Sequence, residues 1–172
     1  MKLLLGGARS GKSALAVRLA RSWAGQVVFV ATAEARDPDM AGRIEQHRRD
    51  RPADWTTVEE PVELAAVIRE TPADAFAVVD CLSLWVSNLM EAGWASERIE
   101  DAARAAANLL SAREPPSVVV SNEVGLGVVP ATELGRSYRD VLGRVNAIFA
   151  EAADSAHLIV AGRTLELGAP PG

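Results

Sequence analysis

The chain has 172 residues, 49% of them hydrophobic and 24% charged, a balance that suits one soluble domain with a real core and excludes a disordered chain. The net charge of −5 argues against a general nucleic-acid or membrane-surface binder, whose surface has to be basic, although a local basic patch can still hold a phosphate. The only cysteine, Cys81, allows no internal disulfide and fits a reducing cytoplasm. The opening "MKLLLGGARSGKS" carries too short an apolar run for a signal-peptide core, and no run approaches a membrane span, so a cytoplasmic location is expected.

Taken in chain order, short β-rich apolar runs alternate with helical stretches. "KLLL" (2–5) predicts a buried strand, and residues 10–24 a helix with Ala14, Leu15, Val17, Leu19 and Trp23 available for packing. "QVVFVAT" (26–32) is a second strand. Residues 38–51 form a polar helix, with Asp37 as cap and Pro38 in its first turn. A short strand over 55–59 and a helix over 61–70, opened by proline, come next. "AFAVVD" (75–80) is a long strand, and 84–93 a helix ending at Gly93. Residues 96–113 read as an amphipathic helix opened by a capping-box pattern at Ser96, with Ile99 its weak point. "SVVVSN" (117–122), a long helix over 131–153 and a last strand "HLIVAG" (157–162) complete the pattern, and the tail "LELGAPPG" reads as disordered. Continuous apolar strands separated by helices predict an α/β fold whose mostly parallel central sheet is covered on both faces. Ligands in such sheets bind beyond the carboxyl ends of the strands. The segments to inspect are therefore 6–13, 32–34, 80–83, 122–127 and 162–164.

The strongest signal is "GGARSGKS", which fits G-x-x-x-x-G-K-[ST] in full and lies between a strand and a helix. In this pattern Gly6, Gly7, Ala8, Arg9, Ser10, Gly11, Lys12 and Ser13 curl so that backbone N–H groups face phosphate oxygens, with the helix N-terminus adding positive partial charge. Lys12 reaches the β- and γ-phosphates, and Ser13 offers its hydroxyl to Mg²⁺. Asp80 ends a predicted strand, the place where a P-loop protein puts the carboxylate that holds Mg²⁺. Motif and strand pattern together predict a three-layer P-loop NTPase (RecA-like) fold over residues 1–172. Cys81 reads as a small packed residue.

The stretch "AGRIEQHRRDRP" (41–52) raises a separate question. Met40, Ile44 and His47 fall on one helix face, which should look inward, and Arg43, Arg48, Arg49 and Arg51 surround it. His47 is either a core histidine satisfied by one hydrogen bond or a histidine that faces a bound anion and acts on it. A regulatory GTPase needs a glycine-bearing switch and an N-K-x-D guanine reader, where this chain has "DCLS" and "SNEV". A small-molecule kinase needs an arginine-rich lid late in the chain. Arg136, Arg139 and Arg144 suit surface or interface positions at least as well.

"GGARSGKS", "ATAEARDPDMAGRIEQHRRDRPADWTTVEEP" and "VVVSNEVGLGVVPATELGRSYRDVLGRVN" together resemble the bifunctional adenosylcobinamide kinase / adenosylcobinamide-phosphate guanylyltransferase family of cobalamin biosynthesis. The resemblance runs from Lys2 to about Thr164. It implies that His47 attacks the α-phosphate of GTP and carries GMP as a phosphoramidate, a case of nucleophilic catalysis. It further implies nucleotide contacts from Thr32, Ala33, Glu34, Arg48, Arg49, Asp50, Arg51, Glu59 and Asp80, with an exposed salt-bridge network as the alternative for Arg48 and Glu59. Asp80 stands where many members have glutamate, which shortens the side chain. GTP and ATP as substrates, a corrinoid as acceptor and a homotrimer with active sites near subunit boundaries are also implied. "SNEVGLGVVP" (121–130) is assigned to the corrinoid side, to a subunit interface or to a structural loop.

Overall fold

A computed structural model describes residues 1–169. The elements alternate as expected: β1 (Lys2–Gly6), α1 (Lys12–Arg21), β2 (Val27–Ala31), α2 (Pro38–Arg49), β3 (Thr56–Glu59), α3 (Leu64–Glu70), β4 (Phe76–Asp80), α4 (Leu82–Glu91), α5 (Ser96–Ser111), β5 (Ser117–Val120), α6 (Glu133–Ala152), β6 (Ser155–Val160) and β7 (Arg163–Leu167). The strands form one seven-stranded sheet in the order β3-β2-β4-β5-β1-β6-β7. All pairings are parallel except β6 with β7.

Strand periodicity divides the core into two. Leu3, Leu5, Val28, Val30, Ala77, Val79 and Val119 face one side, where α3, α4, α5 and α6 cover them. Leu4, Val27, Phe29, Phe76, Val78, Val118 and Val120 face the other, against α1. The strands are thus apolar on both faces, as a covered parallel sheet requires. On α1 the deeply buried residues are Ala16 and Ala20, with Leu15, Val17, Leu19 and Trp23 packed beside them. Two small side chains let the helix approach the sheet, so the packing centre differs from the larger residues the periodicity singles out, and Ala14 is exposed.

Several boundaries differ from expectation for local reasons. Ser10 and Gly11 belong to the loop before α1, because Gly11 has φ +99° and lies outside helical space. The proline-led segment at 61 is a turn, since the Glu60 carboxylate accepts from the backbone N–H groups of Val62 and Glu63, and α3 starts only at Leu64. Ala95, not Ser96, occupies the cap position of α5, and no side chain caps that helix. α2 follows its caps as read: the Asp37 carboxylate accepts from Met40 N–H at 2.7 Å, with Pro38 in the first turn.

Strand β7 is a correction. Its residues "RTLEL" overlap the tail read as disordered, and β6 is not the last strand. Ala161 and Gly162, both at positive φ, turn the chain so that Val160 pairs with Arg163 and an antiparallel edge strand forms. All five β7 residues are exposed, so no buried run announces it in the sequence. The remainder of that tail, 170–172, lies outside the described residues. Among the described residues no helix is long and apolar enough to cross a membrane.

Candidate active site

The carboxyl ends of β1 to β5 point to one edge of the sheet, and the polar segments named above gather there. The phosphate loop begins where β1 ends. Gly6 has φ +153°, and a Cβ on it would lie 2.3 Å from the carbonyl oxygen of Ile159 in β6, so only glycine fits. Arg9 also takes positive φ (56°), and Ser10 N–H donates to Gly7 O at 3.3 Å. Gly162 N–H donates to Ser10 O at 2.9 Å, so the β6–β7 turn braces the loop from behind. Lys12 is buried at 7% exposure, with its ammonium donating to Gly6 O (2.9 Å) and Gly7 O (2.6 Å). Burial lowers the Lys12 pKa, opposed by nearby Cys81 and Asp80. A desolvated ammonium held on its own loop gains more from a phosphate than one in water.

The loop forms one wall of a cleft of about 910 Å³. Ala8, Arg9, Ser10, Gly11, Lys12 and Ser13 line it from below, Asp80 and Cys81 from the end of β4, and Asn122 from beyond β5. α2 lies over the opposite wall and contributes Met40, Arg43, Ile44, Gln46 and His47, with Asp50 and Arg51 just past its end. The shared face of Met40, Ile44 and His47 therefore looks into a cleft, not into the core. α2 has no buried residue, and the His47 side chain is 45% exposed, which removes the core-histidine alternative.

His47 Nδ1 lies 3.8 Å from Asp80 Oδ2, an ion-pair contact rather than a direct hydrogen bond. The Asp80 carboxylate raises the His47 pKa above its ordinary value, against the effects of burial and of Arg51. With Nδ1 turned to Asp80, Nε2 is the ring nitrogen on the side away from that carboxylate. The Arg51 guanidinium lies 3.7 Å over the Phe29 ring at the cleft wall, and its buried Nε has no hydrogen-bond partner among the described residues. Val17, Phe29, Ile44 and Leu84 give the cleft an apolar side, the mixture expected of a nucleotide site.

A second, adjoining pocket of about 640 Å³ lies on the other side of α2, lined by Glu34, Arg36, Glu45, Arg48, Glu59 and neighbours. Ala33 and Ile44 belong to both pockets. The arginines around His47 thus separate. Arg43 and Arg51 share its cleft, Arg48 pairs with Glu59 in the second pocket, and Arg49 pairs with Glu45 and lines neither. Thr32 is fully buried, and its hydroxyl donates to Cys81 O (2.7 Å) and accepts from Cys81 N–H (2.8 Å). Its side chain joins β2 to β4 and is not free to meet a ligand. Cys81 is buried as expected, with its thiol pushed up to about 11 by desolvation. Arg18 on α1 also lines the main cleft; nothing in its local sequence separates it from a surface arginine.

Among the described residues no cluster of three or more His, Cys, Asp or Glu could hold a metal by itself. The donor set fits Mg²⁺ nonetheless, because that ion commonly takes one carboxylate and a hydroxyl and completes its shell with substrate phosphates and water. Ser13 and Asp80 line the same cleft and would provide those two donors.

Comparison with known proteins agrees with this geometry. The family model for cobinamide kinase / cobinamide phosphate guanyltransferase matches residues 2–167. The bifunctional adenosylcobalamin biosynthesis protein CobP of Pseudomonas aeruginosa is 44% identical over 170 residues, covering 98% of each chain. CobU proteins of the same description from Escherichia coli (39% identical) and Salmonella typhimurium (40%) each cover 94% of this chain and 96% of their own. An ATPase from the type III secretion system of pathogenic bacteria shares the fold alone, with a TM-score of 0.56 at 7% identity over 96% of this chain and 56% of that one. The chain belongs to the cobinamide kinase / cobinamide phosphate guanyltransferase family.

Proposed function

We propose that this chain phosphorylates adenosylcobinamide and then transfers GMP from GTP to adenosylcobinamide phosphate through a guanylyl-His47 intermediate, giving adenosylcobinamide-GDP. The observation that carries the reading is the position of His47: a half-exposed imidazole on α2 that opens onto the phosphate-loop cleft, with Nδ1 toward Asp80 and Nε2 free. Neither a core role nor a surface role gives a reason for that arrangement.

In the kinase step the phosphate loop and Lys12 hold a nucleoside triphosphate, ATP or GTP; the hydroxyl oxygen of the aminopropanol arm attacks the γ-phosphorus as the bond from γ-phosphorus to the β–γ bridging oxygen breaks, the nucleoside diphosphate leaves, and the hydroxyl proton passes to solvent. In the guanylyl step the Nε2 lone pair of neutral His47 attacks the α-phosphorus of GTP. The Nε2–P bond forms as the bond from α-phosphorus to the bridging oxygen breaks, and pyrophosphate leaves. The ring becomes cationic, and Asp80 offsets that charge. Lys12, Arg51 and Arg43 face the charge on the phosphates. A phosphate oxygen of the corrinoid then attacks the α-phosphorus, the N–P bond breaks, and its electron pair returns to Nε2. Ser13 and Asp80 would hold Mg²⁺, whose charge would offset that of the phosphates. We assign base and ribose contacts to Glu34, Arg48 and Glu59 in the adjoining pocket, with Ala33 at the junction. Gly6 and Gly7 act through the backbone, and Asp50 and Arg49 flank the site. Thr32 supports it from below.

We also read residues 1–172 as one catalytic domain that works in the cytoplasm as a homotrimer. Exposed Leu126, Val128, Val129 and Leu134, in the loop after β5 and at the start of α6, support a covered surface there. The test of the main reading is intact-protein mass after incubation with Mg²⁺ and GTP. A GMP-sized increase that is acid-labile and missing in His47→Ala is expected. GTP binding without any adduct would leave a small-metabolite P-loop kinase as the better description.

A further inference from the structure

α2 carries the nucleophile yet buries no residue, so hydrophobic packing does not fix where His47 sits. The contacts that hold its leading end converge on one side chain of α4. Asn88 is only 6% exposed, and its amide is fully engaged. Its Nδ2 donates to Thr32 O (2.8 Å), just past β2, and to Pro61 O (3.1 Å), just past β3. Its Oδ1 accepts from Arg36 Nη2 at 2.9 Å. Arg36 directly precedes Asp37, the cap of α2, and also pairs with Glu34 and, on α4, with Glu91. Asn88 and Glu91 lie one helical turn apart on α4 and together grip the same guanidinium from two sides. A planar fork held by a buried amide and a carboxylate has little freedom.

We propose that Asn88 and Glu91, acting through Arg36, are positioning residues for guanylyl transfer: they fix the start of α2 so that His47 stands over the phosphate loop. Neither side chain lines the two pockets, and neither touches the reacting groups. The γ-phosphate transfer uses the phosphate loop, whose backbone bonds run within the loop, to α1, to the segment after β5 and to the β6–β7 turn, with none to α2 among the described residues. Loosening the latch therefore slows one reaction and spares the other. An in-line attack tolerates little displacement, and a misplacement of about 1 Å costs on the order of 100-fold.

This inference rests on the guanylyl-His47 reading, and the experiment separates the two. Wild type, Asn88→Ala and Glu91→Ala are compared for the rate of GMP adduct formation at saturating GTP, the KM for GTP in that step, and corrinoid phosphorylation with ATP. Glu91 is exposed, so its variant folds even where the Asn88 change weakens the fold. At saturating GTP, where a weakened Arg36–Glu34 pair in the second pocket no longer limits binding, Asn88→Ala is expected to lower the adduct rate about 100-fold and Glu91→Ala about tenfold, with the kinase rate at saturating ATP within about twofold of wild type. A parallel fall in both reactions, or an adduct rate unchanged in both variants, overturns the positioning role while leaving the wild-type adduct in place. Absence of the adduct in wild type overturns the guanylyl reading and the positioning role with it.

Discussion

The phosphate loop and α2 face each other across one cleft but are held by different means. The loop is anchored to the core at both ends: Gly6 lies against the backbone of β6, Lys12 is buried, and α1 packs through Ala16 and Ala20. α2 has no buried residue and is held by the Arg36 latch, the Arg48–Glu59 pair and a bond from Arg21 to Asp50 O at 3.1 Å. The phosphate loop is thus tied to the core by buried backbone and by Lys12, whereas the proposed nucleophile rides on an element placed largely by polar contacts. Elements with few buried contacts open at lower free energy than a core. A protein with two reactions in one cleft can then vary the second without disturbing the first.

Substitutions on the two walls sharpen this contrast. The largest expected effect is on α2. His47→Ala abolishes the GMP adduct, with no residual step, and leaves the kinase rate near wild type; loss of both would break the contrast. On the other wall, Lys12→Ala lowers both reactions by about 100- to 1,000-fold, the usual effect of losing a charged donor to a reacting phosphate, checked by steady-state rates of each.

Acidity gives the next effect. Asp80 raises the His47 pKa from the ordinary 6.5, and only neutral imidazole attacks. The rate of adduct formation at low GTP should therefore fall about tenfold per unit as pH drops below a midpoint higher than 6.5. Asp80→Asn should move that midpoint down. Stability of the free protein runs the other way: the proton held by His47 contributes below the unfolded pKa, and that contribution is lost as pH rises through the folded one.

The smallest effect is thermodynamic. Leu4→Ala, in a fully buried β1 position, should cost about 2–5 kcal/mol, whereas Ile44→Ala on α2, a half-buried position outside both core clusters, should cost about 1–2 kcal/mol, because part of it stays in water. Denaturant melts of the two variants compare the walls directly.

The sequence carried the core and the loop further than it carried α2. Apolar runs separated by helices suffice for the parallel sheet, and the phosphate loop is a contiguous motif whose geometry is local. The helix face bearing His47 was also readable from spacing, but spacing does not tell a core from a cleft, and only the third dimension separates Arg51 in the main cleft from Arg48 in the adjoining pocket. The latch was not legible at all, because Arg36 and Asn88 are 52 residues apart and each is an ordinary polar residue in its own segment. β7 escaped because none of its residues is buried. Thr32 was placed at the right edge of the sheet, but only the structure reveals that its hydroxyl is engaged by Cys81.

The stereochemical course at the α-phosphorus tests the covalent relay most directly. GTP made chiral at that phosphorus is converted to the corrinoid product, and the product configuration is read. Two in-line displacements, the first by His47, predict retention. Inversion means that the corrinoid phosphate attacks GTP in a single step, and it would contradict the assignment of His47 as the carrier of GMP.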